Sequence, residues 1–334
     1  MSKGDQILDV RGVHMRFNTK GLCVRAVTDV SFTVREGETI GIVGESGCGK
    51  TTLGRCIVRA YEPSEGQVLY TTAEGETIDF LKIDRKVMKR YRKDIQMIFQ
   101  DPYSSLDPRM TVYDIIKEPL QANFPKMPKR EMEARVMDIA SRVGLNTSYL
   151  KRYPHAFSGG QRQRIGIARA LVLSPRVIVC DEAVSALDVS IQAQVINLLH
   201  DLQQELGLTY LFISHDLSVV EYISDKVGVM YLGKLVEYAP TRELFSHPMH
   251  PYTESLLSAV PVADPAVKQE RIPLTGEIPN PANPPSGCHF HTRCRYCTGC
   301  CREQTPPYVE VAPDHFVACH RAEELKLRGF TYDE

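Results

Sequence analysis

Residues 44–52 read GESGCGKTT, and this stretch decides the fold. It fits the pattern G-x-x-x-x-G-K-[ST], whose fixed positions are Gly44, Gly49, Lys50 and Thr51. Residues 39–43 before it are mostly apolar and β-branched, which predicts a buried strand, and residues 53–60 after it predict a helix. Strand, glycine-rich turn and helix in this order are the context that the pattern requires.

The residue types in this loop suit a triphosphate. Glycines let successive backbone N–H groups point at phosphate oxygens, and the start of a helix adds about half a positive charge. The Lys50 ammonium can reach the β- and γ-phosphates, and the Thr51 hydroxyl can ligate Mg²⁺. A chance match in a Gly/Ser-rich loop is the alternative, and the flanking strand and helix disfavour it. We therefore expect a nucleoside triphosphate site.

The bulk composition is that of a globular protein with ample core, since 43% of the 334 residues are hydrophobic and 24% are charged. The length suggests two domains, or one large domain with an appendage. With 40 basic against 41 acidic residues, the net charge of −1 argues against a dedicated nucleic-acid-binding protein. The sequence shows neither an apolar secretion signal nor 18 consecutive apolar residues, so we expect any membrane connection to pass through another chain.

Strand and helix patterns alternate after the loop. The predicted strands are residues 95–99, 176–181 and 209–214, and the predicted helices are residues 158–173 and 188–206. This alternation predicts a mainly parallel sheet with the ligand at the carboxyl ends of its strands. Residues 112–143 have helical apolar spacing that is broken near 125–128, which predicts a small inserted helical subdomain. Before the loop, residues 7–13 and 30–34 predict strands, with Phe17 in an irregular stretch between them.

Further motifs accompany the loop in a fixed order. They are Gln100 after a strand, Ser158-Gly159-Gly160-Gln161 at a helix start, Asp181-Glu182 at a strand end, Asp188 shortly afterwards, and His215 after the last strand. Together they closely resemble the motifs of ATP-binding-cassette ATPases, over about residues 5–245. This resemblance implies an α/β P-loop NTPase cassette with a mainly parallel sheet, an antiparallel β subdomain and an inserted α-helical subdomain at about residues 101–173.

The resemblance also implies ATP as substrate and Mg²⁺ as cofactor. Asp181 would hold Mg²⁺ directly or through water, together with Thr51 and Gln100. Glu182 would be the general base that polarises the attacking water, and a carboxylate beside polyphosphate is a plausible base. His215 would contact the γ-phosphate, so the catalytic set would be Lys50, Gln100, Glu182 and His215.

The implied nucleotide-binding residues are Phe17, Gly44, Glu45, Ser46, Gly47, Cys48, Gly49, Lys50, Thr51, Thr52, Gln100, Ser158, Gly159, Gly160, Gln161, Asp181 and Asp188. Phe17 would stack on adenine, although a core position remains an alternative. Ser158 and Gly160 would close over a nucleotide held by a different subunit, because two cassettes of this family sandwich two ATP molecules. Residues 183–184 are Ala-Val where many relatives have Pro-Thr, and we expect no loss of activity from this departure.

Longer stretches narrow the resemblance to the ATPases of oligopeptide/dipeptide importers. They are residues 100–112, 180–195, 250–261, 287–294 and 318–320. The resemblance then covers nearly the whole chain, as a nucleotide-binding domain at residues 1–245 and an importer-type extension at residues 246–334. It implies a peripheral protein on the cytoplasmic face of the membrane that works with a second, identical or similar ATPase subunit, two permease subunits and an extracytoplasmic solute-binding protein. Nucleic acid is not an expected partner.

The extension contains six of the ten cysteines. Clustered cysteines in a cytosolic protein suggest a metal. In the importer ATPases, the spacing of Cys288, Cys294, Cys301 and Cys319 is a pattern that in some relatives holds a [4Fe–4S] cluster, and four thiolates suit either such a cluster or Zn²⁺. Cys297 and Cys300 depart from that pattern and create C-x-x-C spacings. The nearby histidines also favour zinc, and they are His289, His291, His315 and His320. Metal-free or oxidised thiols are the third alternative.

Other functions also fit parts of the pattern. The sequence does not identify the cargo, because relatives of this kind also import sugars, nickel and other small solutes. A cassette ATPase acting on ribosomes or DNA would usually have two cassettes or long heptad arms, and an exporter cassette would usually lack the cysteine tail. Whether two copies pair, or one copy pairs with a sibling, is also open.

Overall fold

The computed structural model describes residues 4–19, 21–261 and 271–330. The described chain divides into two compact units. The first unit contains the described residues of segments 1–8, 34–38 and 70–213, and the second contains those of segments 9–33, 39–69 and 214–334. Within the described residues, no helix combines the length and the apolar character needed to cross a bilayer.

The strands of the described residues are β1 (Gln6–Thr19), β2 (Leu22–Arg35), β3 (Thr39–Val43), β4 (Glu65–Thr71), β5 (Thr77–Asp79), β6 (Ile95–Ile98), β7 (Val177–Asp181), β8 (Thr209–Ile213), β9 (Lys226–Tyr231), β10 (Lys234–Pro240), β11 (Val309–Ala312) and β12 (His315–Val317). The helices are α1 (Lys50–Ile57), α2 (Arg85–Tyr91), α3 (Val112–Asn123), α4 (Lys129–Arg142), α5 (Gly159–Leu171), α6 (Val189–Leu206), α7 (Leu217–Ile223), α8 (Thr241–Ser246), α9 (Pro251–Leu257) and α10 (Gly299–Glu303).

The first unit contains parallel strands in the order β6-β7-β8. Every residue of β7 and β8 is buried, as expected for parallel strands covered on both faces. Helices α3, α4 and α5 pack against one another in the same unit. The Thr111 hydroxyl caps α3 by accepting a hydrogen bond from the Asp114 N–H, and α4 begins directly after Pro128. The predicted break in the helical segment is therefore confirmed.

The second unit combines parallel and antiparallel pairing. Strand β3 runs parallel to β9, whereas β10 is antiparallel to both β9 and β12, and β12 is antiparallel to β11. All five residues of β3 are buried. The predicted α/β class is thus correct, with parallel strands in both units and an antiparallel part that the strand patterns did not locate.

Strands β1, β2 and β4 lie side by side in the order β2-β1-β4. The first two strands are 14 residues each, much longer than the predicted residues 7–13 and 30–34. Phe17 lies inside β1, so its prediction as part of an irregular stretch was wrong. The length of β1 was underestimated because its residues alternate between polar and apolar. A strand with one exposed face therefore resembles a loop in composition.

The C-terminal extension is built into the second unit. Strand β12 continues the sheet beyond β10, with Glu237 opposite Val317. The Glu237 carboxylate is fully buried and lies 2.8 Å from Nε2 of the equally buried His315. It also accepts the N–H groups of Met249 and His250 at 2.6 and 3.1 Å. One carboxylate therefore ties together β10, β12 and the start of α9.

His250 gives this junction a pH dependence. Its Nδ1 accepts the Tyr252 N–H at 3.0 Å, and burial lowers the pKa of His250 to about 3. The neutral ring therefore stabilises the fold fully above the unfolded-state pKa of about 6.5, and this contribution is lost as the pH falls towards 3. We expect the free energy of unfolding to fall by about 2–3 kcal/mol between pH 6.5 and 4.5 from this group.

The His250→Asn variant keeps an oxygen acceptor for the Tyr252 N–H but cannot titrate. Urea unfolding between pH 7 and 4.5 should show a shallower loss of stability in this variant than in the wild type. The control is His247→Asn, because the His247 side chain is 73% exposed, and it should change the slope less than His250→Asn does. Equal slopes in the His250→Asn variant and the wild type would contradict the assignment.

Candidate functional site

The predicted phosphate loop lies in the second unit, where β3 ends at Val43 and α1 begins at Lys50. The backbone of the loop is packed too closely for side chains at two positions. A Cβ atom at Gly44 would lie 2.2 Å from the Met230 carbonyl oxygen, and one at Gly49 would lie 2.1 Å from that of Ala26. Both glycines also have positive φ angles, of 149° and 107°. The glycines of the pattern are therefore required by the turn itself.

Lys50 folds back over the loop. Its ammonium donates hydrogen bonds to the carbonyl oxygens of Gly44 and Glu45, at 2.7 and 3.0 Å, and the residue is only 4% exposed. Cys48 is buried beside it, with its sulfur 3.8 Å from the Lys50 nitrogen. The side chain is therefore held against the backbone of the loop.

The start of α1 suits an anion. The N-cap residue, Gly49, has no side chain to cap the helix, and the first turn contains no acidic residue. The positive end of the helix is therefore not offset by a carboxylate of its own first turn. Of the remaining loop residues, Ser46 and Gly47 are exposed, and Thr51 and Thr52 are half-buried in the first turn of the helix.

Two predicted catalytic residues meet in the first unit. Strand β7 ends at the buried Asp181, and Glu182 follows with a φ of 46°, a left-handed conformation that is uncommon for glutamate. The side-chain amide of Gln100 donates a hydrogen bond to the Glu182 carboxylate at 2.8 Å. The Glu182 N–H is also bonded to the Ile213 carbonyl at 3.0 Å. Non-glycine residues held in this conformation tend to cluster at functional sites.

The predicted cap motif opens α5 as expected. The Ser158 hydroxyl accepts the Gln161 N–H, and the Gln161 side chain accepts the Ser158 N–H, so the two residues form a capping box. Both residues are exposed, whereas Gly160 is buried. A Cβ atom at Gly160 would lie 2.4 Å from Ile191 of α6. This glycine is therefore needed for helix packing, whatever its role towards a nucleotide.

The other predicted nucleotide contacts lie at strand and helix ends. Asp188 is the N-cap of α6 and accepts the Ile191 N–H at 3.0 Å. His215 is exposed between β8 and α7. Phe17 is half-buried on β1, where its ring meets that of Tyr61 edge-on at 5.5 Å. Phe17 is thus not part of the buried core.

Sequence reasoning missed the partners of Glu45. The Glu45 carboxylate forms a two-pronged ion pair with Arg293 of the extension, at 2.6 and 3.1 Å, and the Glu45 N–H donates to the Tyr252 hydroxyl at 2.9 Å. The acidic residue within the loop was the only available signal. Its partner lies 248 residues away, and no local pattern predicts such a contact.

The four cysteines of the predicted pattern line one small cavity of about 20 Å³. His291 and His320 line it too, whereas Cys297 and Cys300 do not. Two of the predicted nearby histidines lie elsewhere: His315 pairs with Glu237, and His289 lines a different cavity. Burial raises the pKa of Cys288 to about 11 and that of Cys294 to about 12.

A formed metal site is nevertheless missing from this region. Among the residues that the structure describes, no three His, Cys, Asp or Glu side chains are arranged to hold a metal ion. The predicted iron–sulfur or zinc centre therefore gains no support from ligand geometry, although its four cysteines share one cavity.

Comparison with known proteins places these features in a family. The family model "ABC transporter" matches residues 27–185, and the model "Oligopeptide/dipeptide transporter, C-terminal region" matches residues 236–301. Oligopeptide transport ATP-binding protein AppF of Bacillus subtilis is 59% identical over 300 residues, which are 89% of each chain. A probable peptide ABC transporter ATP-binding protein of Sinorhizobium fredii, y4tS, is 52% identical over 91% of this chain and 84% of that protein.

Solved structures agree with the sequence comparisons. A dimeric post-hydrolysis state of the ATP-binding cassette MJ0796, bound to ADP and Pi, superposes with a TM-score of 0.63 at 26% identity, covering 71% of this chain and 99% of that one. CbiO1 from Clostridium perfringens, part of the ABC transporter complex cbiONQ, superposes with a TM-score of 0.62 at 30% identity, over 72% and 91% of the two chains.

The close backbone approach at Gly49 can be tested by stability. Gly49→Ala adds a methyl group against the Ala26 carbonyl in addition to backbone strain, so we expect it to cost several kcal/mol. Gly47→Ala is the control, since it has a φ of 78° but no atom within 4 Å of the new methyl group, and should cost about 1 kcal/mol. Urea unfolding measures both, and equal losses would contradict the packing argument.

Proposed function

Because this chain belongs to the ATP-binding-cassette transporter family and carries the C-terminal region of its oligopeptide/dipeptide transporters, we infer that it is the ATP-hydrolysing motor subunit of a peptide importer. The observation that carries this inference is the similarity to AppF over 89% of both chains. Import of a sugar, nickel or another small solute is the alternative cargo assignment.

We propose that the phosphate loop binds the β- and γ-phosphates of ATP. The ammonium of Lys50 would exchange its hydrogen bonds with the loop carbonyls for bonds to phosphate oxygens. Thr51, Gln100 and Asp181 would hold Mg²⁺, which neutralises phosphate charge when it is bound. Phe17, half-buried beside Tyr61, would offer its free face to adenine, and His215 would approach the γ-phosphate.

Glu182 is proposed as the general base. Its left-handed backbone and its bond to Gln100 fix the carboxylate at the end of a buried strand. A carboxylate held in this way can accept a proton from water as that water attacks the terminal phosphate. Gln100 is held by the same hydrogen bond, so its amide would orient the base or the water.

We further propose that a second cassette completes the site. Ser158 and Gln161 are exposed at the start of α5, where backbone N–H groups can face a phosphate of the partner's nucleotide. Tyr103, in the segment after Gln100, is 59% exposed and would contact a permease subunit. Through two permease subunits this chain would lie at the cytoplasmic face of the membrane, and an extracytoplasmic protein would deliver the solute.

Glu182→Gln should bind ATP with wild-type affinity but hydrolyse it at least about a hundredfold more slowly, because the proton acceptor is lost. Steady-state phosphate release and nucleotide binding by the purified full chain measure the two quantities. Glu133→Gln, which changes an exposed glutamate of α4, is the matched control and should hydrolyse ATP normally. Full hydrolysis by Glu182→Gln would refute the general-base role.

The same variant tests the transport assignment. Right-side-out vesicles that contain the complete transporter and enclose ATP should accumulate a labelled oligopeptide supplied outside with the solute-binding protein, and Glu182→Gln should abolish this uptake. ATP-driven uptake of a sugar or of nickel, without uptake of the peptide, would favour the alternative cargo.

For the extension, we propose that Cys288, Cys294, Cys301 and Cys319 hold either a [4Fe–4S] cluster or Zn²⁺. Their shared cavity supports this set over one that includes Cys297 or Cys300. Thiols with raised pKa values are protonated at neutral pH, so metal binding would release their protons and draw the four sulfurs together. Such a centre would crosslink a segment with little apolar sequence of its own.

Anaerobically purified protein should contain iron and sulfide if a cluster is present, or one zinc ion without iron if zinc is present. Cys301→Ser should remove the metal in either case, because Cys301 lines the cavity. Cys300→Ser changes the neighbouring cysteine outside the cavity and should retain the metal. Elemental analysis distinguishes these outcomes, and wild-type protein without iron or zinc would contradict the proposal.

A further inference from the structure

The extension contacts the phosphate loop through a buried charge pair. Two nitrogens of the Arg293 guanidinium lie 2.6 and 3.1 Å from the two carboxylate oxygens of Glu45. The Arg293 side chain is 4% exposed and that of Glu45 is 23% exposed. A two-pronged arginine–carboxylate pair that is largely shielded from water is both directional and strong, unlike the exposed pairs elsewhere on the chain.

Glu45 is connected at three separate points. Its carboxylate binds Arg293, its N–H donates to the Tyr252 hydroxyl at 2.9 Å, and its carbonyl oxygen accepts from the Lys50 ammonium at 3.0 Å. The extension thus contacts Glu45 twice, through Arg293 and Tyr252, and Glu45 in turn helps to hold Lys50. A change in the position of Glu45 would move the carbonyl that orients Lys50.

The partners of Glu45 are themselves rigidly packed. Tyr252 is fully buried, and its ring meets those of Tyr231 and Phe290 at centroid distances of 4.8 and 5.4 Å. The Arg293 guanidinium lies over the Tyr231 ring at 5.9 Å. These three aromatic rings fix the positions of the Tyr252 hydroxyl and the Arg293 guanidinium, which hold the loop. All three rings come later in the sequence than the last cassette motif, at His215.

The ion pair between Arg293 and Glu45 also affects the electrostatics of the loop. An unpaired carboxylate inside a phosphate-binding loop would repel the triphosphate, and a lower local dielectric would strengthen that repulsion. The positive charge of Arg293 offsets the negative charge of Glu45, which follows Gly44 just after the end of β3. The loop can therefore keep an acidic residue without losing its attraction for an anion.

We propose that Arg293 is a positioning residue for the nucleotide site: through Glu45 it orients the phosphate loop and sets the affinity for ATP. The inference rests on the proposed function, because it assumes that the loop binds ATP. It assigns to the extension a direct part in nucleotide binding, separate from any metal that the cysteines hold.

The test measures binding of the non-hydrolysable analogue AMP-PNP with Mg²⁺ to the purified full chain by calorimetry. Arg293→Met should raise the dissociation constant about tenfold, a typical size for coupling between linked sites. Arg293→Lys should recover part of the affinity, because it restores the charge without the two-pronged geometry. In the Glu45→Gln background, Arg293→Met should change the constant less than threefold, because its effect passes through the carboxylate.

Arg295→Met is the matched control. Arg295 lies two residues further along the same segment and pairs with the buried Glu254 at 3.1 Å rather than with Glu45. Both variants should lower the thermal unfolding temperature, but only Arg293→Met should weaken nucleotide binding. If the two variants weaken binding equally, or if Arg293→Met binds as the wild type does, the positioning role is wrong.

A failure of the proposed function can be distinguished from a failure of the Arg293 inference. If the wild type does not bind AMP-PNP, the nucleotide site itself is wrong, and this inference falls with it. If Arg293→Met does not fold, Arg293→Lys carries the test, since it retains the positive charge in the buried site. If a folded Arg293→Lys variant and the Glu45→Gln variant both bind AMP-PNP with wild-type affinity, this inference is wrong and the proposed function still stands.

Discussion

The turn between β3 and α1 has its shape because backbone carbonyl groups occupy the space where side chains would otherwise stand. The carbonyls of Met230 and Ala26 come so close to Gly44 and Gly49 that only glycine fits. Lys50 then bonds to the inner carbonyls of this turn, and α1 starts with its positive end uncovered. The shape of the proposed phosphate site therefore depends first on the packing of neutral backbone, and the charged groups act within the shape that this packing sets.

In the first unit, too, buried backbone sets the positions of the polar side chains. Fully buried strands bring Asp181 and Glu182 to a defined position, and the polar groups are added only where the strands end. The hydrogen bond from Gln100 and the left-handed backbone of Glu182 then select one orientation of the carboxylate. Likewise, Gly160 serves the contact of two helices, whereas Ser158 and Gln161 are exposed. Each motif thus contains residues that shape the site and residues that would do chemistry.

The sequence allowed good predictions wherever the information was local. Strand β3 was predicted at its observed bounds, a helix starts at the Ser158–Gln161 motif, and the helical segment breaks near residues 125–128 as predicted. The predictions failed or were absent where distant segments decide the structure. The full length of β1, the pairing of β10 with β12, and the contacts of Glu45 and His315 depend on partners far along the chain. Periodicity describes one element at a time, so it contains no information on such pairs.

The separation of Glu45 from Arg293 has a consequence for synthesis. The ribosome adds Arg293 only 248 residues after Glu45, so the loop is translated long before its guanidinium partner exists. Until then the nascent loop has its lysine and glycines but an uncompensated acid. On the positioning role inferred above, a nascent chain that has not yet reached Arg293 would bind nucleotide more weakly than one in which the pair has formed.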